Sequence, residues 1–209
     1  MGLVESEPGR LYAQANNGTV SDSPPTSTAS QAVAKVSEVF GVVQVVRNGE
    51  TVLLSVGDDV FLGDVVSTQA DSRVKLDFFG ASTGAEAINS TLIADQTKVS
   101  IAGEVETSGS NQSQVTQITL KIESGNLTVG QSTSSRIAIQ VETPAGRVDV
   151  PQVGLAVSVQ PDVPQPTFQI PRSSNESSTS VAATTPVRLT APDGSDQQLD
   201  VQTAPATNE

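Results

Sequence analysis

The segment RVKLDF at residues 73–78 alternates polar and apolar side chains, and this alternation decides the fold class. A period of two places one set of side chains on a buried face and the other set in solvent, which is typical of a half-buried β-strand. Three later segments repeat the pattern, with apolar residues at Ile118, Leu120 and Ile122, at Ile137, Ile139 and Val141, and at Leu155, Val157 and Val159. No stretch of comparable length has a helical period, so the sequence predicts an all-β protein.

The composition supports strands and limits the available chemistry. Of the 209 residues, 36 % are hydrophobic and 3 % are aromatic, so we expect a core of Val, Ile and Leu. Phe40, Phe61, Phe78 and Phe79 are the expected large side chains of that core. The chain contains no histidine and no cysteine, which leaves paired carboxylates or a Ser-Lys pair as the conceivable catalytic groups. The sequence therefore predicts no enzymatic activity and no cofactor.

The charge balance restricts the classes of partner. Eleven basic residues stand against 23 acidic ones, a net charge of −12. This field repels nucleic-acid phosphates and anionic lipid head groups, and no apolar run is long enough to cross a bilayer. We expect no nucleic-acid binding and no membrane insertion; cations and basic protein surfaces are better candidates. The alternative is that the charge serves solubility alone.

The composition also divides the chain into three parts. Residues 1–35 and 160–209 are rich in Ser, Thr and Pro and lack a regular apolar pattern, which predicts flexible arms on either side of a β domain at residues 36–159. Within the C-terminal arm, Asp193-Gly194 lies between two short apolar segments. Residues 187–201 can therefore form a hairpin.

Turn residues divide the middle part into short strands. Residues 36–46 carry apolar side chains on both faces, which suits a single strand buried on both sides. Asn48-Gly49 favours a type I′ turn into a return strand at residues 51–56. Residues 80–90 and 103–113 are predicted as loops, and residues 124–126 and 143–146 as turns. This spacing suggests an antiparallel β-sandwich or a short solenoid.

Two glycine-aspartate pairs form the most specific motif, G-D-x-x-x-x-G-D-x-x-x-T. In such pairs the glycine adopts a positive φ and the aspartate accepts hydrogen bonds from nearby amides, so the motif predicts structural turns. A Thr-Pro step after an alternating strand is the next most specific feature. The residues assigned to these turns are Asn48, Gly49, Gly57, Asp58, Gly63, Asp64, Thr68, Thr143 and Pro144.

Five segments resemble, in order, the blocks of the FecR-type domain, an all-β module named from a bacterial iron-dicitrate sensor. They are VFGVVQVVRNGE (39–50), LSVGDDVFLGDVVSTQADSRVKLDFFG (54–80), LIADQTKVSI (92–101), LKIESGNLTV (120–129) and IQVETPAGRVDV (139–150). The chain departs from the family at an insertion, residues 81–89, and at residues 151–154. Sensor members add a membrane helix and a sigma-factor-binding segment that nothing in this sequence resembles, so the resemblance implies the module alone.

A calcium site is an open alternative for the acidic turns. Asp58, Asp59 and Asp64 lie close together in the sequence, and residues 193–196 form a second oxygen-rich stretch. Calcium needs several oxygen ligands within a short loop, and neither stretch matches an EF-hand. Backbone capping is therefore the favoured interpretation.

Two functions from different classes remain. In the first, the chain is a non-enzymatic, extracytoplasmic FecR-like module that binds or scaffolds proteins through its β surface. In the second, it is a structural subunit of a virion or filament whose arms wrap neighbouring copies. Both predict protein partners, and the second predicts copies of the chain itself among them.

Overall fold

All of the described secondary structure is β-strand. A computed structural model describes residues 32–79, 87–108, 112–133, 137–163, 165–171 and 184–202. The all-β prediction is confirmed, and these ranges contain no helix that could cross a membrane. The strands are β1 (Ala32–Phe40), β2 (Val43–Arg47), β3 (Glu50–Leu53), β4 (Asp59–Phe61), β5 (Val65–Thr68), β6 (Arg73–Phe79), β7 (Ala87–Ile93), β8 (Lys98–Ser108), β9 (Gln112–Val129), β10 (Ala138–Thr143), β11 (Gly146–Asp149), β12 (Leu155–Val159), β13 (Thr167–Gln169), β14 (Thr184–Thr190) and β15 (Asp196–Gln202).

The strands form one open network of two sheets that share β9. Sheet I has the order β4-β1-β6-β7-β9-β12-β13, and sheet II has the order β3-β2-β5-β8-β9-β10-β11-β14-β15. Residues 112–124 of β9 pair within sheet II, and residues 125–129 pair within sheet I. The pairing of β9 with β10 is parallel, whereas the other described pairings are antiparallel. The sequence analysis did not anticipate this parallel pair.

Strand β9 passes from one sheet to the other at Gly125, where the sequence predicted a reversing turn. That prediction is wrong, because the strand continues in the same direction and only changes its neighbours. Gly125 has a φ of 97°, and the Thr97 side chain occupies the space where a Cβ would lie. The amide of Asn126 donates to Thr97 Oγ1 at 2.9 Å. The positive φ therefore bends the strand around Thr97 and does not reverse it.

The loop predicted at residues 103–113 is also largely strand. Strand β8 continues to Ser108 and pairs with β9 from Gln112 onward, with a register shift beside Val105. Polar residues can pair in such a ribbon because the backbone supplies the hydrogen bonds. Of the loop predicted at residues 80–90, residues 80–86 lie outside the described ranges, and β7 already begins at Ala87.

The opening segment is two strands on different sheets, so the prediction of one doubly buried strand at residues 36–46 is wrong. Gly41 has a φ of 75° and separates β1 from β2, and Ser72 lies where a Cβ would be. The chain therefore leaves sheet I at this point. As a result, Phe40 is 57 % exposed and is not the core side chain that the sequence predicted. Phe61 is half-buried, and Phe78 and Phe79 are buried.

The inward side chains of both sheets form one apolar core. In β6, Val74, Leu76 and Phe78 face this core and Arg73, Lys75 and Asp77 face outward, as the alternation predicts. Buried members include Val36, Leu76, Phe78 and Ile93 in sheet I, and Val45, Val66, Ile101 and Leu120 in sheet II.

Described strands extend beyond residues 36–159 on both sides. β1 begins at Ala32, and β13, β14 and β15 follow residue 159. The hairpin that the sequence suggested at residues 187–201 corresponds to β14 and β15, and β14 also pairs with β11. Its side chains Val187, Leu189 and Val201 belong to the core. The remainder of the predicted arms lies outside the described ranges.

Candidate functional site

The first glycine-aspartate pair closes a tight turn at residues 55–58. The amide of Asp58 donates to the Ser55 carbonyl at 3.1 Å, and the amide of Ser55 donates back to Asp58 Oδ2 at 2.8 Å. Gly57, in the third position, has a φ of 93°. A positive φ at this position is the type II pattern, which favours glycine. The Asp58 carboxylate therefore has a structural role.

The second glycine-aspartate pair repeats this geometry at residues 61–64, and its aspartate also binds the side chain of Arg47. The amide of Phe61 donates to Asp64 Oδ2 at 2.9 Å, and Gly63 also has a φ of 93°. The Asp64 side chain is 1 % exposed and accepts two hydrogen bonds from Arg47, Nε to Oδ1 at 2.9 Å and Nη2 to Oδ2 at 2.7 Å. The hydrogen bond to Asp64 raises the pKa of Arg47 above its usual value. This pair ties β2 to the turn before β5.

The three neighbouring aspartates do not converge on a common site. Asp59 Oδ1 lies 3.3 Å from Lys35 Nζ, whereas Asp64 faces Arg47 and Asp58 caps its own turn. Within the described ranges, no group of three or more His, Cys, Asp or Glu is placed to hold a metal ion. Each carboxylate is instead used by a nearby cation or backbone amide.

The acidic stretch at residues 193–196 is likewise used within its own hairpin. Asp193 accepts hydrogen bonds from the hydroxyl and the amide of Ser195, and these bonds lower the pKa of Asp193. Asp196 accepts from Arg188 and from the Thr190 hydroxyl, and the bond from Arg188 is the main reason that the pKa of Asp196 is lowered. These contacts define a β-hairpin turn.

Asn48, Gly49 and Thr68 hold backbone turns. Asn48 and Gly49 have φ values of 52° and 84°, as a type I′ turn requires, and connect β2 to β3. The amide of Thr97 donates to Thr68 Oγ1 at 3.0 Å, and the amide of Thr68 donates to the Thr97 carbonyl at 3.0 Å. The Thr68 side chain therefore joins the end of β5 to the turn that precedes β8.

Thr143 and Pro144 lie in the turn between β10 and β11. The Thr143 hydroxyl donates to the Gly146 carbonyl at 3.0 Å and accepts from the Ala145 amide at 3.3 Å. This turn belongs to sheet II and to a different hairpin from the glycine-aspartate pairs. The motif residues thus support separate corners of the fold.

The outward face of sheet I is a better candidate for a functional surface. Six strands place one residue each in a single cross-strand row: Glu38, Lys75, Leu92, Thr128, Ala156 and Gln169. Phe40 on β1 is paired with Arg73 on β6; Phe40 comes two residues after Glu38, and Arg73 comes two residues before Lys75. Because alternate residues of a strand face the same side, these two side chains share the outward face.

Four residues on this side of the molecule form what we call the Phe40 patch: Phe40, Val56, Arg73 and Leu92. Val56 is 63 % exposed and Leu92 is 38 % exposed, and the four residues line a groove of about 280 Å³. The Arg73 guanidinium carbon lies 4.9 Å from the centre of the Phe40 ring. A second groove, of about 430 Å³, also has Phe40 and Arg73 in its lining. The ring and the guanidinium therefore border both grooves.

Arg73 differs from the other basic side chains of the described ranges. Seven of these eight side chains have a carboxylate within 4.0 Å, and Arg73 has none among the described residues. The seven pairs are Lys35–Asp59, Arg47–Asp64, Lys75–Glu38, Lys98–Glu123, Lys121–Glu142, Arg147–Glu142 and Arg188–Asp196. Arg73 thus combines an exposed cation with an exposed aromatic ring.

The sequence analysis missed this site because it placed Phe40 in the core. The available signal was Gly41, which directly follows Phe40 and ends β1. A glycine with a positive φ next to an aromatic residue marks a strand end, where a large side chain can be exposed. The outward position of Arg73 was predictable from alternation, but its position over Phe40 depends on the pairing of β1 with β6.

Comparisons with family models, with curated proteins and with solved structures found no match to this chain. The resemblance to the FecR-type domain therefore stays a prediction that rests on the five sequence segments. The function is inferred from the chain's own residues.

Proposed function

We propose that this chain is a non-enzymatic, FecR-like module that binds or scaffolds proteins through the outward face of sheet I. The observation that carries the proposal is the Phe40 patch, which exposes an aromatic ring, two aliphatic side chains and an arginine around one groove. Aromatic residues and arginine are enriched at the centres of protein interfaces. A protein partner is therefore the class of ligand that best fits this surface.

The charge and the residue types support this class over the others. A net charge of −12 disfavours nucleic acids and anionic membranes as ligands. The chain has no histidine or cysteine for nucleophilic or acid-base catalysis. Asp58, Asp59 and Asp64 are engaged by backbone amides or cations, which argues for structural roles. The proposed location of the module is extracytoplasmic.

Panning a random-peptide library on the immobilised protein tests this proposal. We expect enriched peptides that bind wild type and lose binding to Phe40→Ser. Leu53→Ser is the matched control, because Leu53 is 62 % exposed on β3 in sheet II and its loss should leave binding intact. Equal melting temperatures verify that both variants are folded. Failure to enrich any peptide that needs Phe40 would overturn the proposal.

One feature favours the second candidate, a structural subunit of a virion or filament. Among the described strands, β3 pairs only with β2, and it exposes Val52 at 50 % and Leu53 at 62 %. An exposed apolar edge strand can pair with another chain. Light scattering after size exclusion distinguishes the two candidates: assemblies that dissociate in Leu53→Lys support the subunit, and a monomer at every concentration rules out self-assembly.

A further inference from the structure

We infer that the partner of the Phe40 patch is an acidic, extended protein segment. Its carboxylate binds the Arg73 guanidinium, and a neighbouring apolar side chain fills the groove between Phe40, Val56 and Leu92. This inference rests on the proposed function and specifies the chemistry of the partner.

The first argument is that Arg73 has no carboxylate partner within the described ranges, although the chain carries 23 acidic residues. Its contact with the Phe40 ring restricts the side chain before any partner arrives. Restricting a long side chain in advance lowers the entropy that binding has to overcome. Arginine is also the residue best suited to bind a carboxylate with two parallel hydrogen bonds.

The second argument is the local charge of the groove. Arg73 and Lys75 contribute two positive charges to its lining, and Glu38 contributes one negative charge. The ion pair between Lys75 and Glu38 is 3.4 Å long, and the Glu38 side chain is 66 % exposed. Such an exposed pair is weak, so Lys75 can exchange Glu38 for a carboxylate of the partner. The lining of this groove therefore carries one net positive charge on a strongly acidic protein, whereas the lining of the adjoining groove includes Asp71 and Asp95.

The third argument is that the apolar residues lie directly beside the cations. Leu92 is paired with Lys75 across β6 and β7, and Phe40 is paired with Arg73 across β1 and β6. An extended segment presents alternate side chains about 7 Å apart on one side. Such a segment can place an acidic and an apolar residue on the two features at once, which a free carboxylate ion cannot do.

Three short synthetic peptides with identical leucine positions test the inference. The variable positions, which include the position two residues from each leucine, are all glutamate, all glutamine or all lysine. A leucine and a variable residue then share one side of the extended peptide. Binding is followed by fluorescence anisotropy at physiological salt. The net charge of the protein favours the lysine peptide through long-range attraction. We expect the glutamate peptide to bind most tightly, against this overall field.

Variants of Arg73 locate the effect. We expect Arg73→Gln to lower the affinity for the glutamate peptide by about tenfold or more and to remove its preference over the glutamine peptide. We expect Arg73→Lys to retain part of the preference, because it keeps the charge and loses the planar contacts. Arg147→Gln is the control: it removes one positive charge from sheet II and should change neither the affinity for the glutamate peptide nor its preference over the glutamine peptide.

The outcomes separate this inference from the proposed function. Peptides that require Phe40 but show no glutamate preference, or that are unaffected by Arg73→Gln, overturn the inference and leave the protein-binding proposal standing. Tightest binding of the lysine peptide also overturns the inference. Self-association that depends on Phe40 overturns it as well, because the occupant of the groove is then a second copy of the chain.

Discussion

Asp58 and Asp64 occupy the same position of the same kind of turn, yet their surroundings differ. Both accept a hydrogen bond from the amide three residues earlier. Asp64 is buried and also binds Arg47 through two hydrogen bonds, whereas Asp58 is half-buried. Arg47 also lies 4.2 Å from the centre of the Phe61 ring. The turn at residues 61–64 is therefore linked to β2 through Arg47, whereas Asp58 stabilises mainly its own turn at residues 55–58.

This difference predicts that an Asp→Asn substitution lowers the free energy of unfolding more at residue 64 than at residue 58. We expect Asp64→Asn to lower the free energy of unfolding by about 2–3 kcal/mol, because a buried, charge-assisted pair is lost. Asp58→Asn should cost less than about 1 kcal/mol, since the turn amide keeps a neutral acceptor. Urea unfolding followed by circular dichroism measures both values. Equal losses would show that the contact with Arg47 contributes nothing.

Glu142 predicts a dependence of stability on pH. Hydrogen bonds lower the pKa of Glu142 below its usual value of 4.5; the bond from Lys121 has the largest effect, followed by the bond from Arg147. A carboxyl with a lowered folded-state pKa stabilises the protein above its unfolded pKa and loses that contribution as the pH falls through the folded value. The melting temperature of Glu142→Gln should therefore lie below wild type near neutral pH and approach it in acid. Glu50→Gln is the control, and the same convergence there would contradict the assignment.

The turn residues were predictable from the sequence, because a positive φ and a short side-chain cap are local properties. Asn48, Gly57 and Gly63 show this, since their φ values follow from residue type. The Phe40 patch was not predictable, because it is assembled from β1, β6, β7 and the turn after β3. Which strands become neighbours depends on the whole fold.

At the scale of elements, β9 determines how the two sheets are connected. Its residues before Gly125 pair with β8 and β10, and its residues from Gly125 onward pair with β7 and β12. The bend needs both a positive φ and close packing, because Thr97 fills the space beside Gly125. Gly57 has nearly the same φ, 93°, but a Cβ at that position would meet no other atom within 4 Å.

These two glycines provide a matched pair of substitutions. Both alanine variants carry the strain of a positive φ, which costs about 1–3 kcal/mol. Only Gly125→Ala also brings a methyl group against Thr97, so we expect it to be less stable than Gly57→Ala by about 2 kcal/mol or more. Thermal and urea unfolding of the two variants give the difference. Equal stabilities would show that Thr97 moves aside without cost.

The alternating pattern correctly predicted which side chains within a strand face the core. It did not predict where the strands end or which strands pair with each other. The inward and outward residues of β6 follow the pattern, because burial repeats with the pleat. The continuity of β9 through Gly125 and the length of β8 were missed, because they depend on pairing between distant segments. A glycine in the sequence looks the same whether the chain bends within a strand or reverses in a turn, so the sequence alone does not distinguish the two.

At the scale of the whole molecule, the C-terminal hairpin belongs to the core. Val187, Leu189 and Val201 are buried in the same cluster as the sheet I and sheet II residues. The amide of Ile170 also donates to the Gln202 carbonyl at 3.1 Å. The composition of residues 160–209 conceals this role, since a few apolar residues in two short strands are enough to extend sheet II beyond β11 and add to the core.

Truncation tests this role. A chain that ends at residue 171 lacks β14 and β15 and loses three core side chains, each of which contributes roughly 1.5–3 kcal/mol by burial. We expect a large fall in melting temperature and increased binding of an apolar dye. A chain that ends at Gln202 keeps every described strand and is the control. If the two chains have the same melting temperature, the hairpin is not needed for a stable core.

The core common to both sheets also bears on the binding that we propose for the Phe40 patch. Because side chains of sheet I and sheet II pack in one apolar cluster, neither sheet can swing away from the other without exposing part of that cluster to water. The proposed binding face is thus rigid, and under the proposal a docking segment would have to supply the adaptability of the complex.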